Sequence, residues 1–130
     1  MSYIRYKNNN LFVESVSVRR LASKLSTPFY LYSEGNIIEN YKSFSDSFKN
    51  SSPLICFSVK ANSNIQILKV LKKMGSGADV VSGGELLKVI KSGIQPSKIV
   101  FSGVGKTEEE IRLAIKRNIL LINVESENEA

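Results

Sequence analysis

Histidine and tryptophan are absent from the 130-residue sequence, and cysteine occurs once, at Cys56. Without histidine there is no Ser–His or Cys–His catalytic pair and no zinc site that needs imidazole. A single cysteine excludes a disulfide framework and a paired-cysteine site, so we predict no metal centre. Cys56 lies inside an apolar run and is predicted to be a core residue. Any chemistry must therefore use other side chains.

Long apolar runs are missing as well. No stretch approaches the roughly 20 apolar residues that a membrane helix requires, and residues 1–7 lack the apolar segment of a signal peptide. We therefore expect a cytoplasmic chain with no membrane partner.

The formal charge of +6 comes from 18 basic and 12 acidic residues. The lysines are spread along predicted helices without interleaved aromatic residues, which argues against nucleic-acid binding.

The sequence does contain a regular alternation of short apolar runs and amphipathic stretches from Phe29 onward. The runs are continuous rather than alternating, which is typical of parallel strands covered on both faces. The composition, 42% hydrophobic and 23% charged, is that of a folded globular domain. We predict an α/β fold with a parallel sheet. Its strands are predicted at residues 29–32, 54–59, 78–81, 99–101 and 120–124.

The predicted helices carry start and stop signals. Three begin with the capping-box pattern, in which a hydroxyl and a Glu or Gln three residues later satisfy backbone amides: Ser63 with Gln66, Ser82 with Glu85, and Thr107 with Glu110. Three end at residues that can adopt the left-handed conformation: Gly75, Gly93 and Asn118. The first 28 residues differ, since 11–16 resemble a strand and 18–25 a short helix. We interpret 1–28 as a preamble to the repeat.

The segment Gly103-Val104-Gly105-Lys106-Thr107 has the ending of a phosphate-binding P-loop. A Walker loop also needs a glycine five residues before Gly105, and that position is Val100. The dinucleotide pattern fails too, because Glu108 stands where its third glycine should be. We therefore predict a tight loop between a strand and a helix.

Two other positions are candidate sites with two interpretations each. In residues 77–85 a carboxylate, Asp79, is followed by small residues, which either let a ligand approach the backbone or form a tight capped turn. Lys60 follows an apolar run, and the carboxyl ends of strands are where α/β folds build their sites. A partly desolvated amine there is suited to attack a carbonyl. The alternative is a strand-terminal lysine that reaches solvent.

Taken together, four blocks resemble the fold-type III pyridoxal-phosphate decarboxylases in order and separation: residues 27–32, 57–62, 77–86 and 99–107. They favour one member of that family over its arginine and ornithine decarboxylases. The resemblance implies that Lys60 carries pyridoxal 5'-phosphate covalently, that Ala61 lies close to the ring and that Asp79 lies near the linkage. It implies removal of carbon dioxide from a small-molecule amino-acid substrate. It also implies a (β/α)₈ barrel joined to a β domain, in a homodimer.

A complete barrel needs about 250 residues, so residues 29–130 are expected to form a partial barrel domain of about five strands. The resemblance places the ring-stacking histidine, the phosphate loop, the acidic partner of the pyridine nitrogen and the substrate-binding residues outside this sequence. We therefore expect a fragment that is inactive alone, with a complementing C-terminal half as partner. Residues 11–16 are expected to pair with the β domain. The alternative is a non-catalytic interaction module or a decayed remnant that retains the half-barrel scaffold.

Overall fold

The structure is a computed structural model that describes residues 3–48 and 50–130. The first two residues of the predicted preamble, and Lys49, lie outside the described residues. Two β-sheets are present in the described part of the chain, one antiparallel and one parallel.

The antiparallel sheet consists of β1 (Ile4–Lys7), β2 (Asn10–Val13) and β3 (Val16–Ser17). A two-residue turn with positive φ angles, 48° at Asn8 and 58° at Asn9, joins β1 to β2. Positive φ angles at both central residues are required by the type I′ turn, whose twist suits a hairpin, and asparagine adopts such angles readily. The predicted strand 11–16 is thus divided between β2 and β3. Part of it pairs with β1 inside this chain, and its pairing with a β domain stays a prediction.

The short helix α1 (Val18–Ala22) starts at the Ser17 hydroxyl, which accepts a hydrogen bond from the Arg20 amide. It packs against β2 and β3. The longer α2 (Glu34–Asp46) follows, and its N-cap Ser33 is buried. The Glu14 carboxylate accepts hydrogen bonds from the Ser33 hydroxyl at 2.6 Å and the Gly35 amide at 2.8 Å. These bonds join the antiparallel sheet to the start of α2 and lower the pKa of Glu14.

The parallel sheet confirms the predicted α/β class. Its strands lie in the order β4 (Cys56–Ser58), β5 (Gly77–Val80), β6 (Ile99–Phe101) and β7 (Leu121–Ile122). The helices between them are α3 (Ile65–Lys73), α4 (Gly83–Ser92) and α5 (Glu108–Lys116). The described residues also form three short 3-10 turns: Val59–Ala61, Pro96–Lys98 and Glu127–Glu129.

One predicted strand is wrong. Residues 29–32 belong to no strand, so the parallel sheet has four strands among the described residues instead of five. Tyr30 is 90% exposed, and its ring stacks on that of Tyr32 with centroids 6.3 Å apart. Apolar composition alone does not make a strand, because a strand also needs a neighbour for its backbone groups.

The core lies between the parallel sheet and its helices. Ala78, Val80, Ile99 and Phe101 point to this side and are fully buried, together with Leu68 of α3 and Leu86 and Val89 of α4. Burial stabilises the fold by about 1.5–3 kcal/mol for each large apolar side chain. Because side chains alternate along a strand, the residues between them face the other way. Cys56, Asp79 and Val100 lie on that second face and are half-buried, so Cys56 is not the core residue that the sequence predicted.

The helix signals are mostly confirmed. Thr107 and Glu110 form a complete capping box. Ser82 caps α4, although the Glu85 carboxylate accepts from the Val81 amide rather than from its own N-cap. The predicted capping box of Ser63 with Gln66 is wrong, because the N-cap of α3 is Asn64, one residue later.

The predicted helix stops at Gly75, Gly93 and Asn118 all have positive φ angles, of 87°, 90° and 50°. Among the helices of residues 3–48 and 50–130, none is long and apolar enough to cross a membrane.

Candidate functional site

Polar residues gather where the parallel strands end. Lys60 follows β4, Asp79 is the penultimate residue of β5, Ser102 follows β6 and Asn123 follows β7. Parallel strands bring their carboxyl ends to one edge of the sheet, where α/β proteins bind ligands. We call these four residues the carboxyl edge.

Lys60 is held in place by its neighbours. It is the middle residue of the 3-10 turn Val59–Ala61, which is closed by a 3.0 Å hydrogen bond from the Asn62 amide to the Val59 carbonyl. Val59 is fully buried in the core, whereas Lys60 and Ala61 are exposed. The turn also contacts β5. The buried valine therefore anchors the turn and directs the amine and its small neighbour away from the core.

Asp79 lies on the strand next to that turn. Its register partner on β4 is Ser58, two residues before Lys60, and adjacent strands are about 4.8 Å apart. The Asp79 carboxylate faces the same side of the sheet as Cys56. Burial, together with the charge of that carboxylate, raises the pKa of the Cys56 thiol. Asp79 thus lies on the strand next to β4, which leads into the turn of Lys60.

Ser102 and Asn123 extend this arrangement across the sheet. The Ser102 hydroxyl donates to Asp79 Oδ1 at 2.6 Å, and Asn123 Nδ2 donates to Ser102 Oγ at 2.9 Å. Sequence reasoning did not assign a role to either residue. The available signal was their position, since each is the first polar residue after a strand, but their contact depends on the register of three strands.

The lysine of the glycine-rich loop after β6 is bound to groups of the protein itself. The side chain of Lys106 is fully buried, and its amine donates to the Gly103 carbonyl and to the Glu129 carboxylate. This interaction lowers the pKa of Glu129. The predicted tight loop agrees with these contacts, because the lysine that a P-loop directs at phosphate is here bound to protein groups.

The small residues after β5 likewise form a capped turn. The Val81 amide donates to Glu85 Oε2 at 2.8 Å, and the Gly83 amide donates to Glu110 Oε1 at 2.6 Å. These two amides are therefore satisfied by carboxylates of the chain itself. Of the two interpretations of residues 77–85, the capped turn describes the backbone, while Asp79 belongs to the carboxyl edge.

The α/β-barrel enzymes build their active sites at the carboxyl ends of the parallel strands, which is where Lys60 and the hydrogen-bonded Asp79 carboxylate lie. The chain belongs to the pyridoxal-dependent decarboxylase family, because the model of that family's pyridoxal binding domain matches residues 34–130. The resemblance seen in the sequence is thereby confirmed.

Relatives within this family are diaminopimelate decarboxylases. The protein from Aquifex aeolicus is 46% identical over 127 residues, which are 98% of this chain and 30% of the relative. The Helicobacter pylori protein is 53% identical over 100 residues, 77% of this chain and 25% of the relative. A crystal structure of diaminopimelate decarboxylase from M. jannaschii in co-complex with L-lysine superposes with a TM-score of 0.88 at 38% identity, covering 93% of this chain and 29% of that one.

The chain spans about 30% of the length of curated relatives that match it over almost its whole length. The matched part is the N-terminal portion of the family's barrel, so the prediction of a partial barrel is confirmed. The member that the four sequence blocks favoured is diaminopimelate decarboxylase, in agreement with these relatives.

Proposed function

We propose that this chain supplies the cofactor-lysine part of a pyridoxal-phosphate-dependent carboxy-lyase that converts meso-diaminopimelate to L-lysine and carbon dioxide. The observation that carries the proposal is the position of Lys60, exposed on an anchored turn at the carboxyl edge with the Asp79 carboxylate on the adjacent strand. The relatives named diaminopimelate decarboxylase support the substrate, and the L-lysine complex supports the product.

The residues of the carboxyl edge fit the cofactor by their chemistry. Covalent attachment of pyridoxal phosphate requires a primary amine that the aldehyde can reach, and the Lys60 amine is on an exposed turn. Ala61 offers a small side chain beside it, which leaves space for a planar ring. Asp79 adds a negative charge on the neighbouring strand, where it favours a cationic nitrogen. When bound, pyridoxal phosphate supplies the electron sink that decarboxylation needs.

The roles of these residues are binding and orientation. Lys60 holds the cofactor through its side-chain nitrogen, Ala61 lies against it, and Asp79 provides the charge near the linkage. Histidine is absent from the sequence, so a stacking histidine for the ring has to come from elsewhere in the working enzyme. We therefore propose that activity requires a complementing C-terminal half, in a cytoplasmic homodimer. The relatives are decarboxylases, which does not favour a non-catalytic module.

A chimera tests this function. This chain replaces the matched 127 residues of the Aquifex aeolicus relative, and release of carbon dioxide and L-lysine from meso-diaminopimelate is measured with added pyridoxal phosphate. We expect an active chimera and a Lys60→Ala chimera that is reduced to background. Lys91→Ala removes another exposed lysine, on α4, and serves as the matched control that retains activity. A folded chimera that forms no lysine, or a Lys60→Ala chimera that is fully active, would contradict the proposal.

A further inference from the structure

We propose that Ser102 and Asn123 are positioning residues that hold the Asp79 carboxylate in one orientation toward the site of Lys60. This inference rests on the proposed function, since it concerns how the carboxyl edge presents its charge to the lysine that carries the cofactor. It assigns a role to two residues that lie outside the predicted site and whose side chains are hydrogen-bonded to Asp79 and to each other.

The two hydrogen bonds run in one direction. A serine hydroxyl has one proton to donate, whereas an ionised carboxylate only accepts. Asn123 Nδ2 donates to Ser102 Oγ at 2.9 Å, so the hydroxyl proton of Ser102 is directed at Asp79 Oδ1, 2.6 Å away. Asparagine thus orients the serine, and the serine orients the carboxylate.

The backbone fixes the positions of both donors. The Ser102 amide donates to the Val80 carbonyl at 2.8 Å, and the Asn123 amide donates to the Phe101 carbonyl at 2.8 Å. These bonds continue the parallel ladder beyond the last residues of β6 and β7. The side chains are therefore attached to rigid strand ends rather than to mobile loops, and such attachment gives the precision that a preorganised site needs.

The arrangement leaves Oδ2, the second carboxylate oxygen of Asp79, without a hydrogen bond among the described residues. Within the described part of the chain, the hydrogen bond from Ser102 goes to Oδ1 of Asp79. The strand on the opposite side of Asp79 is β4, which leads into the turn of Lys60. Because Ser102 already holds the Asp79 carboxylate, its Oδ2 can interact with a cationic nitrogen at Lys60 without a further loss of side-chain entropy when that interaction forms.

The test measures how much pyridoxal phosphate Lys60 captures. The full chain is incubated with pyridoxal phosphate, reduced with borohydride and digested, and the modified fraction of the Lys60 peptide is quantified by mass spectrometry. We expect Ser102→Ala to lower the capture at limiting cofactor by about fivefold, the change that one hydrogen bond of ordinary strength produces. Asn123→Asp should act in the same direction, because its carboxylate competes for the Ser102 proton.

Two further variants separate positioning from a general structural effect. Ser102→Thr retains the hydroxyl and should restore capture to the level of the unaltered chain. In an Asp79→Ala background, Ser102→Ala should cause no additional loss, because the group it positions is already gone. Circular dichroism verifies that each variant is folded.

The inference is overturned if Ser102→Ala captures as much as the unaltered chain, if folded Ser102→Thr fails to restore capture, or if the loss persists in the Asp79→Ala background. Those results leave the role of Lys60 intact. If the unaltered chain captures nothing at Lys60, the same variants are compared in the chimera that carries the rest of the Aquifex aeolicus relative. If that chimera captures nothing at Lys60 either, the proposed function itself fails, and this inference fails with it.

Discussion

The carboxylate of Glu110 connects the starts of two helices through the Gly83 amide, which donates to its Oε1 at 2.6 Å. Its other oxygen, Oε2, accepts from the Thr107 amide at 3.0 Å. One side chain thus satisfies donors at the N-termini of α4 and α5, where helices leave amides unpaired and favour negative charge. These hydrogen bonds lower the pKa of Glu110.

Glu110→Gln should reduce the free energy of unfolding by about 1 kcal/mol at neutral pH, a value that allows for solvent screening. The pKa of Glu110 is lower in the folded chain than in the unfolded one, so its contribution is complete above the ordinary glutamate pKa of about 4.3. This stabilising contribution is lost as the pH falls from the ordinary glutamate pKa through the lowered pKa of Glu110 in the folded chain. Urea denaturation at neutral and acidic pH measures both effects.

The neighbouring Glu109 provides the control for this prediction. It occupies the first turn of α5 and is exposed, so Glu109→Gln removes the same charge from the same helix end. We expect this variant to retain most of the stability and its acid dependence. Equal losses in the two variants would mean that the general charge of the helix end, rather than the bridge to Gly83, stabilises the fold.

Gly77→Ala should destabilise the sheet where β5 passes β6. A Cβ atom at Gly77 would lie 2.3 Å from the Lys98 carbonyl oxygen and 2.8 Å from Cys56 Sγ. The backbone oxygen cannot move aside without disturbing the sheet, and overpacking of this kind costs about 1–3 kcal/mol. The midpoint of chemical denaturation reports the change.

Gly105→Ala is the matched substitution for that experiment, because a Cβ atom at Gly105 meets nothing within 4 Å. We expect its midpoint to stay close to that of the unaltered chain. If Gly77→Ala unfolds at the same denaturant concentration as Gly105→Ala, the close approach of β5 to the Lys98 carbonyl is not a constraint on the fold.

Glu129→Ala should loosen the last turn of the chain. It removes the carboxylate that accepts from the buried Lys106 amine and, at 2.6 Å, from the Glu125 amide. We expect faster hydrogen exchange at the Glu125 amide and lower stability, because among the residues that the structure describes Lys106 then retains only the Gly103 carbonyl as a partner. Glu127→Ala, at an exposed position in the same turn, should leave this exchange unchanged. Similar exchange in both variants would contradict the role of Glu129.

The pKa of Glu129 is lowered mainly by the hydrogen bond from Lys106, so this contact has a predictable acid dependence. Its contribution is present above the ordinary glutamate pKa of about 4.3 and disappears as the pH falls through the lowered value. Exchange at the Glu125 amide should therefore accelerate in acid relative to an unstructured reference peptide.

The sequence predicted best those features that depend on local chemistry. Residues 99–101 form β6 as predicted, because a continuous apolar run matches a strand covered on both faces. Gly93 and Asn118 end their helices because each tolerates a positive φ. The cap of α3 was misplaced by one residue, since the hydroxyl of Ser63 and the amide oxygen of Asn64 are both suitable N-caps.

Features that depend on distant partners were predicted less well. Residues 29–32 have the composition of a strand but no strand partner in the described chain, whereas β1 was overlooked although the Asn8-Asn9 turn is a hairpin signal. At the candidate site, the motifs around Lys60 and Asp79 were recognisable. The contact of Ser102 with Asn123 was not, because it exists only in one register of β6 and β7.

The central claim is that Lys60 carries the cofactor, and the location of the reduced pyridoxyl group tests it most directly. After incubation with limiting pyridoxal phosphate and borohydride reduction, peptide mass spectrometry of the unaltered chain should find the modification concentrated on the Lys60 peptide. The Lys60→Ala chain should lose that peptide's modification, while Lys91→Ala should retain it. Modification spread evenly over exposed lysines, with the Lys60 peptide no more labelled than that of Lys91, would contradict the account.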